Sequence, residues 1–143
     1  REGCRRQKIP HAKQVKAWDT NVLIRHLTED DPKQLLIARA ELAKSERRGE
    51  AIWLSLVVMI ETAWVLSGYG LNKKQILKAI EAVADDTRFH IEHAHILVEA
   101  IKRAREKGDL PEHVAALIGK AQGASKTQTF DKAVKGFSEF EVL

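Results

Sequence analysis

Val15-Lys16-Ala17-Trp18-Asp19-Thr20-Asn21-Val22-Leu23-Ile24 carries the clearest structural pattern in the chain. A short apolar run reaches an aspartate, passes Thr and Asn, and turns apolar again at helical spacing. This predicts a strand over residues 16–18 that delivers Asp19 to its carboxyl end, with a helix over 21–27 directly behind it. Ligands of α/β sheets bind at the carboxyl ends of the strands. A carboxylate there, beside Thr20 and Asn21, suits a cation better than a core.

Outward from this stretch, helices and strands alternate. Pro32 stands at an early helical position and leads into a helix over 33–48, with Leu35, Leu36, Ala38, Leu42 and Ala43 as its inward stripe. Residues 51–55 are apolar almost throughout, as a buried parallel strand requires. A helix over 56–68 presents Val57, Ile60, Trp64 and Val65 as one face. The next, over 73–84, is capped by Asn72 and carries Ile76, Leu77, Ile80 and Val83. Residues 88–91 read as a short strand. A helix follows over 93–107 with Leu97, Val98 and Ile101 inward, then another from Asp109 or Pro111 to 122 with Val114, Leu117 and Ile118 inward. Residues 125–130 read as a strand ending at Asp131, followed by a helical turn over 132–135 and a last strand over 139–143. The alternation predicts an α/β domain with a mostly parallel sheet and right-handed crossovers.

With 143 residues the chain suits one domain, expected over 15–143, with a core of its own. Residues 1–14 are basic and polar, with no apolar period, and read as a tail, either an expression remnant or an upstream extension, with a basic RNA-binding arm as the functional alternative. Hydrophobic content of 44% and charged content of 31% are those of a globular protein. The single cysteine, Cys4, excludes an internal disulfide framework and points to a reducing compartment. No apolar run is long enough to cross a bilayer, and no signal-peptide pattern is visible. The formal charge of +4 is mildly basic, which favours an anionic partner but also merely keeps a small domain soluble.

Most acidic residues fall on helix faces expected to meet water. Asp19 and Asp131 do not, since each ends an apolar strand. Glu61 sits inside a nearly all-apolar helix, with no Lys or Arg between Leu56 and Leu71 to neutralise it. Acids are almost never buried without a partner. Converging carboxylates cannot all stay ionised unless a cation compensates, and oxygen-only ligands point to Mg²⁺ or Mn²⁺. The chemistry that fits is phosphodiester hydrolysis. Spacing alone leaves open a buried ion pair for Glu61 and turn or capping roles for the two aspartates. His90, His93 and His95 cluster, but their spacing fits no zinc motif. His26 and His113 are expected at the surface or partly packed.

Asp19-Thr20-Asn21-Val22-Leu23-Ile24-Arg25-His26-Leu27, then Glu61-Thr62-Ala63-Trp64-Val65-Leu66, then Thr129-Phe130-Asp131-Lys132 resemble the PIN domain of VapC-type toxins over nearly the whole chain. The resemblance implies a three-layer α/β/α fold around a sheet of four or five strands. It implies a Mg²⁺- or Mn²⁺-dependent endoribonuclease, cytoplasmic, and neutralised by a VapB-type antitoxin. Carried over, Asp19, Glu61 and Asp131 are metal ligands and catalytic residues. Thr20, Asn21 and Thr129 orient those ligands through hydrogen bonds. The family's helix start before the last strands usually holds two aspartates three apart. Here Glu112 and Ala115 stand in their places, so Glu112 joins the expected ligand set and Ala115 leaves a gap.

Two readings follow. The first is a metal-dependent nuclease using Asp19, Glu61, Glu112 and Asp131, with Arg25, Lys73 and Lys74 as candidates for the RNA backbone. The second is a PIN-like module with a disabled site that binds antitoxin or RNA. Leu35, Leu36, Trp64 and Leu66 exceed what one small core needs, so a homodimer with a groove for an antitoxin helix is expected.

Overall fold

Short polar side chains start most of the helices in the computed structural model, which describes residues 15–143. The tail expected over 1–14, with Cys4, lies outside the described residues. Each first turn leaves backbone amides without partners, and a capping oxygen satisfies one of them. Asp19 Oδ1 accepts from the Val22 amide at 3.0 Å and opens α1 (Thr20–Leu27). Asp31 accepts from Gln34 at 3.1 Å, with Pro32 in the first turn of α2 (Pro32–Arg47). Ser55 caps α3 (Leu56–Gly68) through Val58 at 3.1 Å. Asn72 and Gln75 exchange two bonds of 2.9 Å to open α4 (Lys73–Asp85). α5 (Ala94–Glu106) begins behind His93, and α6 (Leu110–Ala121) behind Asp109.

The strands are shorter than the sequence suggests. β1 (Ile52–Leu54) pairs in parallel with β2 (Phe89–Ile91), and β3 (Thr127–Thr129) in parallel with β4 (Phe140–Val142). A 3₁₀ turn, Lys132–Val134, lies between β3 and β4. The strand expected over 16–18 contracts to a single parallel bridge from Ala17 to Trp53. It is held by Trp18 N donating to Trp53 O (3.1 Å) and Trp53 N donating to Lys16 O (2.9 Å). Among the described residues, the expected sheet of four or five strands is thus two parallel pairs, the first widened by this bridge. Parallel strands need long crossovers, and α3 and α4 supply the one between β1 and β2.

One core fills the space between the helices and β1–β2, around Leu23, Leu54, Met59, Ile80, Leu97 and Ile101. A smaller one, Ala116, Val134 and Phe140 with Phe137, sits between α6 and the C-terminal strands. One expected stripe is rotated, and two others each lose a residue to the surface. In α3 the buried residues are Leu56, Met59, Thr62, Ala63 and Leu66, while Val57 and Trp64 face out. This helix is apolar on nearly every side, so its pattern carries no direction. In α2, Leu36 faces out although Leu35, Ala38 and Leu42 are buried, and in α5 Val98 is exposed. Among the described residues no helix is long and apolar enough to cross a membrane.

Candidate active site

Three of the expected acids sit where chain direction changes. The Trp18–Trp53 bond fixes the chain just before Asp19, and Asp19 then caps α1 with one oxygen. Asp131 follows β3 in the same way, with its Oδ1 accepting from the Ala133 amide at 2.8 Å. The Thr129 hydroxyl accepts from the Asp131 amide at 3.0 Å and so fixes that turn. Glu112 lies in the first turn of α6, where its Oε2 accepts from the Asp109 amide at 3.4 Å.

Glu112 and Asp131 come together. Burial pushes the Glu112 carboxyl above the usual carboxylate range, and a hydrogen bond with Asp131 pushes it further. The charges of Asp131 and Asp109 act in the same direction, opposed by the Asp109 amide. Two carboxylates this close repel, and a proton or a cation between them relieves the repulsion. Asp109, taken from sequence only as a helix opener, adds its charge to the surroundings of Glu112. Its spacing to Glu112, three residues along the first turn, was the available signal.

Glu61 is placed differently. It is exposed on α3, so the expectation of a buried acid in need of a partner is corrected. A helix apolar on all sides had concealed which face met water. α1 packs against α3, which carries Asp19 and Glu61 on neighbouring elements. Thr20 is half-buried at the start of α1, and Asn21 is exposed beside Asp19 in a cleft of about 410 Å³. Among the described residues, no three His, Cys, Asp or Glu side chains stand close enough together to hold an ion. Ala115, one turn beyond Glu112, is exposed and brings no carboxylate.

The cations are partly engaged. Arg25, a candidate for RNA contact, instead donates from Nε to Gln34 at 2.7 Å and from Nη1 to both oxygens of Asp30 at 3.1 Å. Hydrogen bonds from Tyr69, Thr28 and Arg25 hold Asp30 down at about 2. Lys73 Nζ donates to Gly108 O at 2.6 Å, which ties α4 to the turn before Glu112. Lys74 has no ion-pair or hydrogen-bond partner among the described residues.

His113 is not at the surface. It is 1% exposed, edge-on to Phe137 and Phe140, with Nε2 2.7 Å from Lys107 O. His26 is half-buried between Trp18 and Phe89, and burial pushes its imidazole below the usual range, helped by the charge of Arg88. His93 and His95 stand edge to face at the start of α5.

A family model described as "PIN domain" matches residues 17–137. The chain belongs to the PIN domain family. The match takes in Asp19, Glu61, Glu112 and Asp131 and stops short of β4. A VapC ribonuclease of Aquifex aeolicus is similar to this PIN domain, at 24% identity over 123 residues, covering 85% of this chain and 90% of that relative. No solved structure matches it significantly.

Proposed function

We propose that this PIN domain protein is a Mg²⁺- or Mn²⁺-dependent endoribonuclease, the cytoplasmic toxin of a VapBC-type pair, with Asp19, Glu61, Glu112 and Asp131 as ligands. The observation that carries the reading is the Glu112–Asp131 pair, which repels unless a proton or a cation joins it. The VapC ribonuclease relative supports the activity and a VapB-type antitoxin partner. The donor set, all carboxylate, fits a hard cation.

The ion, when bound, supplies charge for the scissile phosphate and a nucleophile at neutral pH. The rest falls to the chain. Asp131 and Glu112 supply negative charge at one point, from two elements fixed independently by the Thr129 hydroxyl and the Asp109 amide. Asp19 caps α1 through Oδ1, and its other oxygen has no hydrogen-bond partner among the described residues. Thr20 and Asn21 open α1 directly behind Asp19, and Glu61 adds charge from α3.

Incubation of single-stranded RNA with the protein and Mn²⁺ tests this. Cutting that stops with chelator and in Asp131→Asn is expected; chelator-resistant cutting overturns it. The second reading, a site disabled for catalysis, is favoured by Ala115 and by the absence of a cluster of three acids among the described residues. It gives RNA or antitoxin binding with no Mn²⁺-dependent cutting. A homodimer is proposed through exposed Leu36 and Ile37 of α2; Leu35 and Leu66, on which the expectation partly rested, are buried in this chain's own core.

A further inference from the structure

Trp64 is 76% exposed, which is unusual for the largest apolar side chain and unexplained by the core. It stands three residues from Glu61 on α3, so the two share one helix face. Trp64 also lines a cleft of about 390 Å³ whose other walls are Ala63 and Ser67, Lys73, Ile76 and Leu77 of α4, and Asp109 to Pro111 ahead of Glu112. A second cleft of about 420 Å³ adjoins it through shared Lys73 and Leu77, and its other lining residues are Lys74 and Arg105.

The charge of this second cleft is positive. Lys74 is unpartnered among the described residues. Lys73 spends one bond on Gly108 O. Arg105 gives Nη2 to Glu81 at 2.8 Å, which leaves the other guanidinium donors for a ligand. The amino end of α4 adds the positive end of its dipole. An exposed aromatic beside a row of cations is the arrangement that takes single-stranded nucleic acid, with bases stacked and phosphates held.

We propose that Trp64 is a stacking platform for one base of single-stranded RNA, and that Lys73, Lys74 and Arg105 hold the phosphates of the same strand. The inference deepens the nuclease reading by giving its RNA a path, and it rests on that reading only for the choice of RNA. A second copy of the chain would leave the cations beside Trp64 unmatched. An acidic protein would match the cations but gains nothing special from Trp64.

The test is anisotropy of a fluorescent twelve-nucleotide single-stranded RNA in EDTA, where no cutting occurs. Trp64→Ala is expected to weaken binding about tenfold and Trp64→Phe far less. Lys74→Gln is expected to lower the slope of log affinity against log salt by about 0.7, whereas Lys44→Gln on α2 leaves it unchanged. RNA quenching of tryptophan fluorescence is expected to fall sharply in Trp64→Ala, leaving only what Trp18 and Trp53 contribute. Unchanged affinity in Trp64→Ala overturns the proposal. So does Trp64→Ala turning a dimer into a monomer by light scattering with RNA binding intact, or an acidic peptide binding tightly where RNA does not. If binding follows the expected pattern while Mn²⁺-dependent cutting is absent, the RNA path stands and the nuclease reading fails.

Discussion

Deleting Arg103 should cost this fold more than any other single charge deletion. Glu139, just before β4, is 4% exposed, and its carboxylate takes a close ion pair from Arg103 of α5. Lys120 of α6 stands 3.7 Å from its other oxygen. Burial pushes the Glu139 carboxyl up, but its own amide, Arg103 and Lys120 outweigh burial and hold it below the ordinary range. Removing one partner of a buried pair costs about 3–5 kcal/mol, because a charge is left without compensation. Here the Arg103 side chain is 22% exposed and Lys120 remains, so the loss falls toward the lower end. We expect about 2–3 kcal/mol for Arg103→Ala. At about 2–4 °C per kcal/mol for a chain of this size, the melting midpoint falls by roughly 5–10 °C. Glu139→Gln keeps an acceptor for Arg103 and should cost about 1 kcal/mol. Arg103→Met with Glu139→Leu replaces both charges by apolar groups and should be more stable than Arg103→Ala alone. Urea unfolding at pH 7 reads all three. The Glu139 contribution is full above the ordinary carboxylate pKa and is lost as pH falls through its lowered folded value. Arg103→Ala within about 0.5 kcal/mol of wild type, or an apolar double variant less stable than Arg103→Ala, would show that the pair does not carry this stability.

Three further outcomes are expected. Gly108 has φ +80°, and a Cβ there would meet Val134 Cγ1 at 2.7 Å and His113 Nε2 at 2.9 Å; Gly108→Ala should cost about 2–4 kcal/mol, read by urea midpoint. His26 has its imidazole pKa lowered on folding, so its contribution is complete above about 6.5 and is lost as pH falls toward the folded value; the fall in urea midpoint between pH 7.5 and 5.5 should shrink in His26→Phe. Ala115→Asp places a carboxylate one turn from Glu112 on an exposed position, and Mn²⁺ affinity by isothermal titration should rise about tenfold.

The order of elements was legible because its signals are local. Asp19, Asp31, Ser55 and Asn72 cap their helices as short polar residues do, and α3 begins and ends where its sequence says. The strands were over-read by a residue or two at their ends, because apolar runs continue into the first turns of the helices behind them. Direction was not legible in α3, where apolar residues on all sides hid the exposure of Glu61 and Trp64. Nor were pairings made across long stretches of chain. Arg103 with Glu139 and His113 with Phe137 and Phe140 depend on how β4 lies against α5 and α6. Of the site, Glu112 stands beside Asp131 across a long stretch of chain, a pairing no local signal announces, whereas Arg25 turns out to brace Asp30 and Gln34.

Asp19, Glu61, Glu112 and Asp131 are proposed to serve one cation. Mn²⁺ binding followed by electron paramagnetic resonance tests it most directly, in wild type and in Asp19→Asn, Glu61→Gln, Glu112→Gln and Asp131→Asn. Each substitution should weaken Mn²⁺ binding roughly tenfold or more while the fold stays intact by circular dichroism. Wild-type affinity retained in Asp19→Asn and Asp131→Asn alike would contradict it.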